Sequence, residues 1–143
     1  MRLALDEAAA AARDGEVPVG AVVTRGGEIL GVARNRMRAD NDPTAHAEIV
    51  ALRAAAARLG DCRLDGCDLW VTLEPCAMCA GAISLARIAR LYFGAADPKG
   101  GAILHGPRLF GQPTCHHAPE VYPGIGASEA GEMLRTFFRA RRT

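Results

Sequence analysis

The 143-residue sequence contains no uninterrupted apolar run long enough to cross a bilayer. It also lacks low-complexity tracts and internal repeats, so neither a disordered tail nor a repeat array is expected. Charge of one sign is missing too. Seventeen Lys and Arg residues stand against 16 Asp and Glu, a formal net charge of +1. That balance argues against a broad electrostatic grip on a polyanion. Lysine is nearly absent, with Lys99 the single example, a skew that reads as genomic base composition. The opening residues include Asp6 and Glu7 where a secretory signal would carry its apolar segment. A cytoplasmic protein without a membrane partner is the expectation. Five cysteines make an odd set in a sequence without secretion features. Metal ligation for some and inert burial for the rest are favoured over disulfides.

What is present suits one folded unit over 1–143, half of it apolar. An alanine-rich stretch over 3–13 has Leu5, Ala8, Ala9 and Ala12 at helical spacing, and Gly15 to stop it. Strands are predicted over 19–24 and 29–33, joined at Gly26-Gly27. Asn41-Asp42-Pro43-Thr44 reads as a helix start, with the helix ending at Gly60. A strand over 69–73 is broken by Glu74-Pro75, a helix follows over 76–86, and another strand covers 88–93, ending at Gly94. The span 97–119 is loop, with a helical turn near 108–110. A short strand over 120–122 and an amphipathic helix over 128–142 close the chain. This order predicts the α/β class, a three-layer α/β/α domain around one mixed sheet.

Two short motifs carry chemistry. His46-Ala47-Glu48 opens one predicted helix and Pro75-Cys76-Ala77-Met78-Cys79 opens another. A helix start presents unpaired N–H groups and partial positive charge, which stabilise thiolates. Cys76 and Cys79 share a helix face and can pinch one ion. With His46 they make three ligands, so a tetrahedral zinc retains one open position for water. Glu48 lies about 200° around the helix from His46, and both reach one centre only if it sits over the helix tip. A carboxylate there is suited to proton transfer. Singly, each motif also fits buried cysteines, a redox C-x-x-C or a surface histidine. Together they form the H-x-E…P-C-x-x-C signature of zinc nucleobase deaminases.

Across nearly its whole length the sequence resembles the bacterial tRNA-specific adenosine deaminases of the cytidine/deoxycytidylate deaminase superfamily. The blocks that carry this are Glu16-Val17-Pro18-Val19-Gly20-Ala21-Val22, Asn35-Arg36, Asp42 to Ile49 around the histidine, and Val71 to Ile83 around the cysteines. Phe93-Gly94-Ala95 with Asp97 and Lys99, and Phe137-Phe138-Arg139, complete them. The zinc blocks are shared by purine and pyrimidine deaminases. The Glu-Val-Pro-Val-Gly block and the Phe-Phe-Arg ending point more narrowly to the tRNA enzymes.

The resemblance implies a cytidine-deaminase-like fold with a central mixed five-stranded sheet and one catalytic Zn2+ per chain. It also implies hydrolytic attack at carbon 6 of the wobble adenine of a tRNA anticodon loop. Glu48 would protonate the ring nitrogen and then the departing ammonia, and the Cys76 N–H would help hold the attacking oxygen. Asn35 would bond the flipped-out base, and Val17 and Pro18 would line its pocket. Asp97, Lys99, Phe138 and Arg139 would meet the flanking nucleotides, and a homodimer partner would complete the site.

Each substrate residue also has a plain structural reading: Asn35 as a turn residue, Val17-Pro18 as strand entry, Asp97-Pro98 as a turn start and Phe137-Phe138 as core. Arg135, Arg139 and Arg142 recur on one helix face, either a solvated stripe or a phosphate-contacting one. The segment 101–114 departs from the family pattern in its Gly and Pro content. Cys115-His116-His117 is too contiguous to converge on a second ion, and Cys62 and Cys67 read as inert thiols. A metabolic deaminase of free guanine, adenine or cytosine bases or nucleosides is the rival function. A non-catalytic zinc-stabilised binding domain is a second, against which Glu48 argues.

Overall fold

Gly26 and Gly27 both adopt positive φ, 57° and 83°, the combination a two-residue hairpin needs to match strand twist. They join β1 (Gly20–Arg25) to β2 (Glu28–Arg34), antiparallel with a bulge between Val23 and Thr24. The computed structural model, which describes residues 1–141, extends this hairpin into a mixed sheet of order β2-β1-β3-β4-β5. β3 (Asp68–Leu73) runs antiparallel to β1 and parallel to β4 (Arg90–Ala95), and β5 (Glu120–Tyr122) is parallel to β4.

Side chains alternate across this sheet. Ala21, Val23, Leu69, Val71, Leu91 and Phe93 share the face covered by α2 (Ala47–Leu59) and α3 (Ala77–Ala86), packing with Ala51, Ala55, Ala80 and Ile83 into the main core. α1 (Arg2–Arg13) and α4 (Ala127–Ala140) cover the opposite face. The small residues of α1 are there for proximity: a Cβ on Gly20 would lie 1.9 Å from the Ala4 carbonyl oxygen. The expected α/β/α cytidine-deaminase-like layering with five strands is what forms.

Several boundaries differ from the sequence expectation. α2 begins at Ala47 with His46 as its N-cap, not at 41–44. The Asp42 carboxylate accepts hydrogen bonds from the Thr44 N–H and hydroxyl at 2.8 and 2.7 Å, and Asn41 takes a left-handed φ of 48°. These residues therefore close a turn of their own rather than cap the helix. β4 starts two residues later than expected because Arg87 adopts the left-handed conformation that ends α3. Gly94 does not end β4; a Cβ there would fall 2.6 Å from the Thr72 carbonyl oxygen and 3.3 Å from Ala130 Cβ, so the close approach needs glycine. α4 ends at Ala140, and Arg142 lies outside the described residues.

Candidate metal centre

Strand direction gathers the site. β1 opposes β3, so the residues entering β1 lie beside those leaving β3, and β2 and β4 end at the same rim. Val17 and Val19, Asn35, Glu74 and Cys76, and Asp97 therefore meet at one end of the sheet. Open α/β sheets bind ligands outside the carboxyl ends of their parallel strands.

His46 and Cys76 are the N-caps of α2 and α3, and neither side chain caps its own helix. Both instead face one point. His46 Nδ1 is 3.6 Å from Cys76 Sγ and 3.4 Å from Cys79 Sγ, and the three donor atoms lie within 4.8 Å of one another. Zinc bonds of about 2.0 Å to nitrogen and 2.3 Å to sulfur give a tetrahedral edge of about 3.5 Å. The donor set and its spacing thus fit zinc. Electrostatics agrees. The bond from Cys79 holds the Cys76 thiol down to about 4, and that bond together with burial pushes Cys79 up. The bond to Cys76 also pushes His46 up. One proton shared between two sulfurs is what a cation would displace, leaving two thiolates.

Glu48 occupies the first turn of α2 and is only 4% exposed. Burial pushes its carboxyl up to about 7, where a side chain both takes and gives protons near neutrality. Among the described residues, no other His/Cys/Asp/Glu group has metal-binding spacing. Cys115 and His117 are engaged locally: Cys115 Sγ lies 3.6 Å from Ser84 Oγ, and His117 Nε2 is 2.6 Å from the Ile88 carbonyl. Cys67 is buried and Cys62 exposed, both free.

A cavity of about 230 Å³ opens over His46, Glu48 and Cys76, walled by Val17, Val19, Met37, Leu73, Asn35 and Asp97 among others. Asn35 does double duty, its Oδ1 accepting from the Met37 N–H at 3.2 Å while the residue lines the cavity. Pro18 is fully buried and lines neither this cavity nor its neighbour. A second groove of about 670 Å³ shares Val17, Leu73 and Asp97 with the first and adds Lys99, Leu134, Phe138 and Arg141. Asp97 Oδ1 is committed to the Lys99 and Gly100 N–H groups at 3.2 and 2.9 Å. Arg139 lines neither space; it lies 3.9 Å from Glu132, which also pairs with Arg135 at 3.0 Å. Sequence reasoning missed Arg141, although it follows Arg139 by two, and it missed Val19, Met37 and Glu74. Val19 and Glu74 lay inside blocks that carry the family resemblance, whereas Met37 and Arg141 had no such signal.

The family described as the cytidine and deoxycytidylate deaminase zinc-binding region matches residues 1–95. A tRNA-specific adenosine deaminase of Agrobacterium fabrum is 58% identical over 142 residues, covering 99% of this chain and 93% of that protein. One from Bacillus subtilis is 44% identical, covering 99% and 88%. A solved structure from work on A-to-I editing by tRNA:A34 deaminases superposes with a TM-score of 0.93 at 58% identity, covering 94% of this chain and 97% of that one. A guanine deaminase from Bacillus subtilis is more distant, with a TM-score of 0.68 and 30% identity over 99% and 91%. The chain belongs to the zinc-binding cytidine and deoxycytidylate deaminase family, among the tRNA-specific adenosine deaminases.

Proposed function

We propose that the whole chain is one deaminase unit that hydrolyses the wobble adenosine of a tRNA anticodon to inosine, with release of ammonia. The observation that carries this is the juxtaposition of the His46–Cys76–Cys79 donor set with buried Glu48 on one small cavity. His46, Cys76 and Cys79 hold the zinc, which when bound supplies Lewis-acid activation of water near neutral pH. Glu48 takes a proton from the attacking water, delivers it to the purine ring nitrogen as carbon 6 is attacked, and passes another to the departing amine.

The dimensions favour a single base. At about 230 Å³ the cavity falls below the range of about 300–1,000 Å³ typical of drug-sized ligands. A nucleotide would have to be extruded from its stack to enter. Val17, Val19 and Leu73 offer flat apolar walls, and the Asn35 carboxamide nitrogen is available to the base edge. The adjoining groove suits flanking nucleotides: Phe138 is 46% exposed for stacking, and Lys99 and Arg141 supply charge locally in a nearly neutral protein. Sequence similarity separates this reading from the free-base rival, at 58% against 30% identity.

A homodimer is part of the proposal. The outer faces of α2 and α3 leave Leu85 74% exposed beside an apolar groove lined by Ile49, Leu52, Ala82 and Ala86, the kind of patch a second copy covers. Light scattering should give twice the monomer mass, and Leu85→Glu should halve it. The substrate implies work in the cytoplasm; among the described residues no helix is long and apolar enough to cross a membrane. The decisive assay sets an anticodon stem-loop beside free purines and pyrimidines. Inosine should appear in the stem-loop, and turnover confined to the free compounds would transfer the assignment to the metabolic class.

A further inference from the structure

We infer that Glu74 is a positioning residue for the deamination, the peg around which 97–105 is wrapped to form one wall of the base cavity. This rests on the function proposed above. Apart from turns, that segment has no regular secondary structure, so its shape must be imposed from outside. Glu74 is 1% exposed, and donors converge on both of its oxygens. Oε1 accepts from the Asp97 N–H at 3.0 Å and pairs with His105 Nδ1 at 2.8 Å. Oε2 accepts from the N–H groups of Ile103, Leu104 and His105 at 3.1, 2.9 and 3.2 Å.

The wrap is tight. A Cβ on Gly101 would fall 2.5 Å from Glu74 Cδ, and the Ala102 N–H reaches the Pro75 carbonyl at 2.9 Å. Because the Asp97 N–H is pinned at one end of the segment and the His105 ring at the other, the cavity residues Asp97 and Gly100 are held between fixed points. Only an acceptor-only side chain satisfies five donors. A glutamine turns one of its two ends into a donor, so at least one buried N–H faces another N–H.

Glu74 borders the cavity, but both of its oxygens are engaged by the 97–105 segment, so it acts through the segment it holds. Glu74→Gln in the zinc-loaded enzyme tests this with amide exchange, zinc content and steady-state kinetics on the stem-loop. The Ile103 and Leu104 amides should exchange about tenfold faster or more. KM should rise about tenfold with kcat within about threefold, and zinc should stay at one per chain. Unchanged exchange and KM, or a fall confined to kcat, would overturn the inference.

Should Glu74→Gln fail to fold, His105→Ala removes one donor from a partly exposed side chain. It should raise KM and exchange more modestly, with both restored by His105→Asn, whose amide can donate in place of Nδ1–H. No change in His105→Ala, or no rescue, would count against the peg. A wild-type enzyme inactive on the stem-loop would sink the substrate assignment alone, because the exchange measurement needs no turnover.

Discussion

The tip of α2 and the turn from β3 into α3 each bury a glutamate against the same cavity, Glu48 and Glu74. Their surroundings drive them in opposite directions. Burial pushes Glu48 up to about 7. Burial alone would do the same to Glu74, but the Asp97 N–H, the His105 ring and the N–H groups of Leu104 and Ile103 together hold it below the usual carboxylate range. The first carboxyl exchanges its proton easily. The second stays ionised and grips backbone. Both side chains are almost inaccessible to solvent, but Glu48 is the more deeply desolvated and Glu74 receives more donors, and the two differences together separate a carboxyl poised near neutrality from an ionised anchor.

Substitution by glutamine should make the contrast quantitative, because it keeps shape while removing charge and proton exchange and turning one acceptor end into a donor. Glu48→Gln should lower kcat by roughly 10²–10⁴-fold while leaving zinc content and the exchange rates of 97–105 as in the wild type. Glu74→Gln should do the reverse, with its effect in KM and exchange. If Glu48→Gln deaminates the stem-loop at near wild-type rate, Glu48 is not the proton carrier and the contrast dissolves. Kinetics that fell identically in both variants would also break it.

The two glutamates differ equally in how far the sequence disclosed them. His46, Glu48, Cys76 and Cys79 were legible because each motif is short, sits at a helix start and joins the other in a known signature; the fold then brings the two helix tips, 30 residues apart in sequence, to one point. The order of elements along the chain followed from the apolar patterns and the Gly26-Gly27 turn, whereas the order of strands within the sheet did not. Glu74 was not legible as an anchor, since four of its five partners are main-chain N–H groups more than 20 residues away, which residues of almost any type present. The start of α2 was misread for a related reason: Asp42 has the chemistry of a cap, and only the tertiary path shows that it caps a turn. Arg141 reaches the groove with its guanidinium 3.7 Å over the Phe137 ring, whereas Arg139 lies on the exposed side of α4.

A third buried carboxylate extends the comparison to an intermediate case. Glu16 is 4% exposed and accepts only two hydrogen bonds, from the Arg38 and Ala39 N–H groups at 3.1 and 2.8 Å. These bonds fasten the loop that brings Met37 to the cavity. With one donor per oxygen, Glu16→Gln orphans a single part-buried N–H, at a cost of about 1–2 kcal/mol. That corresponds to a fall in melting temperature of roughly 2–8 °C for a chain of this size. Its KM should rise less than that of Glu74→Gln, because two pinned amides constrain a loop less than four amides and a ring. If instead Glu16→Gln raises KM as much as Glu74→Gln does, donor count is the wrong measure. The property that matters would then be which cavity wall is held, with Met37 contributing as much to substrate fit as Asp97.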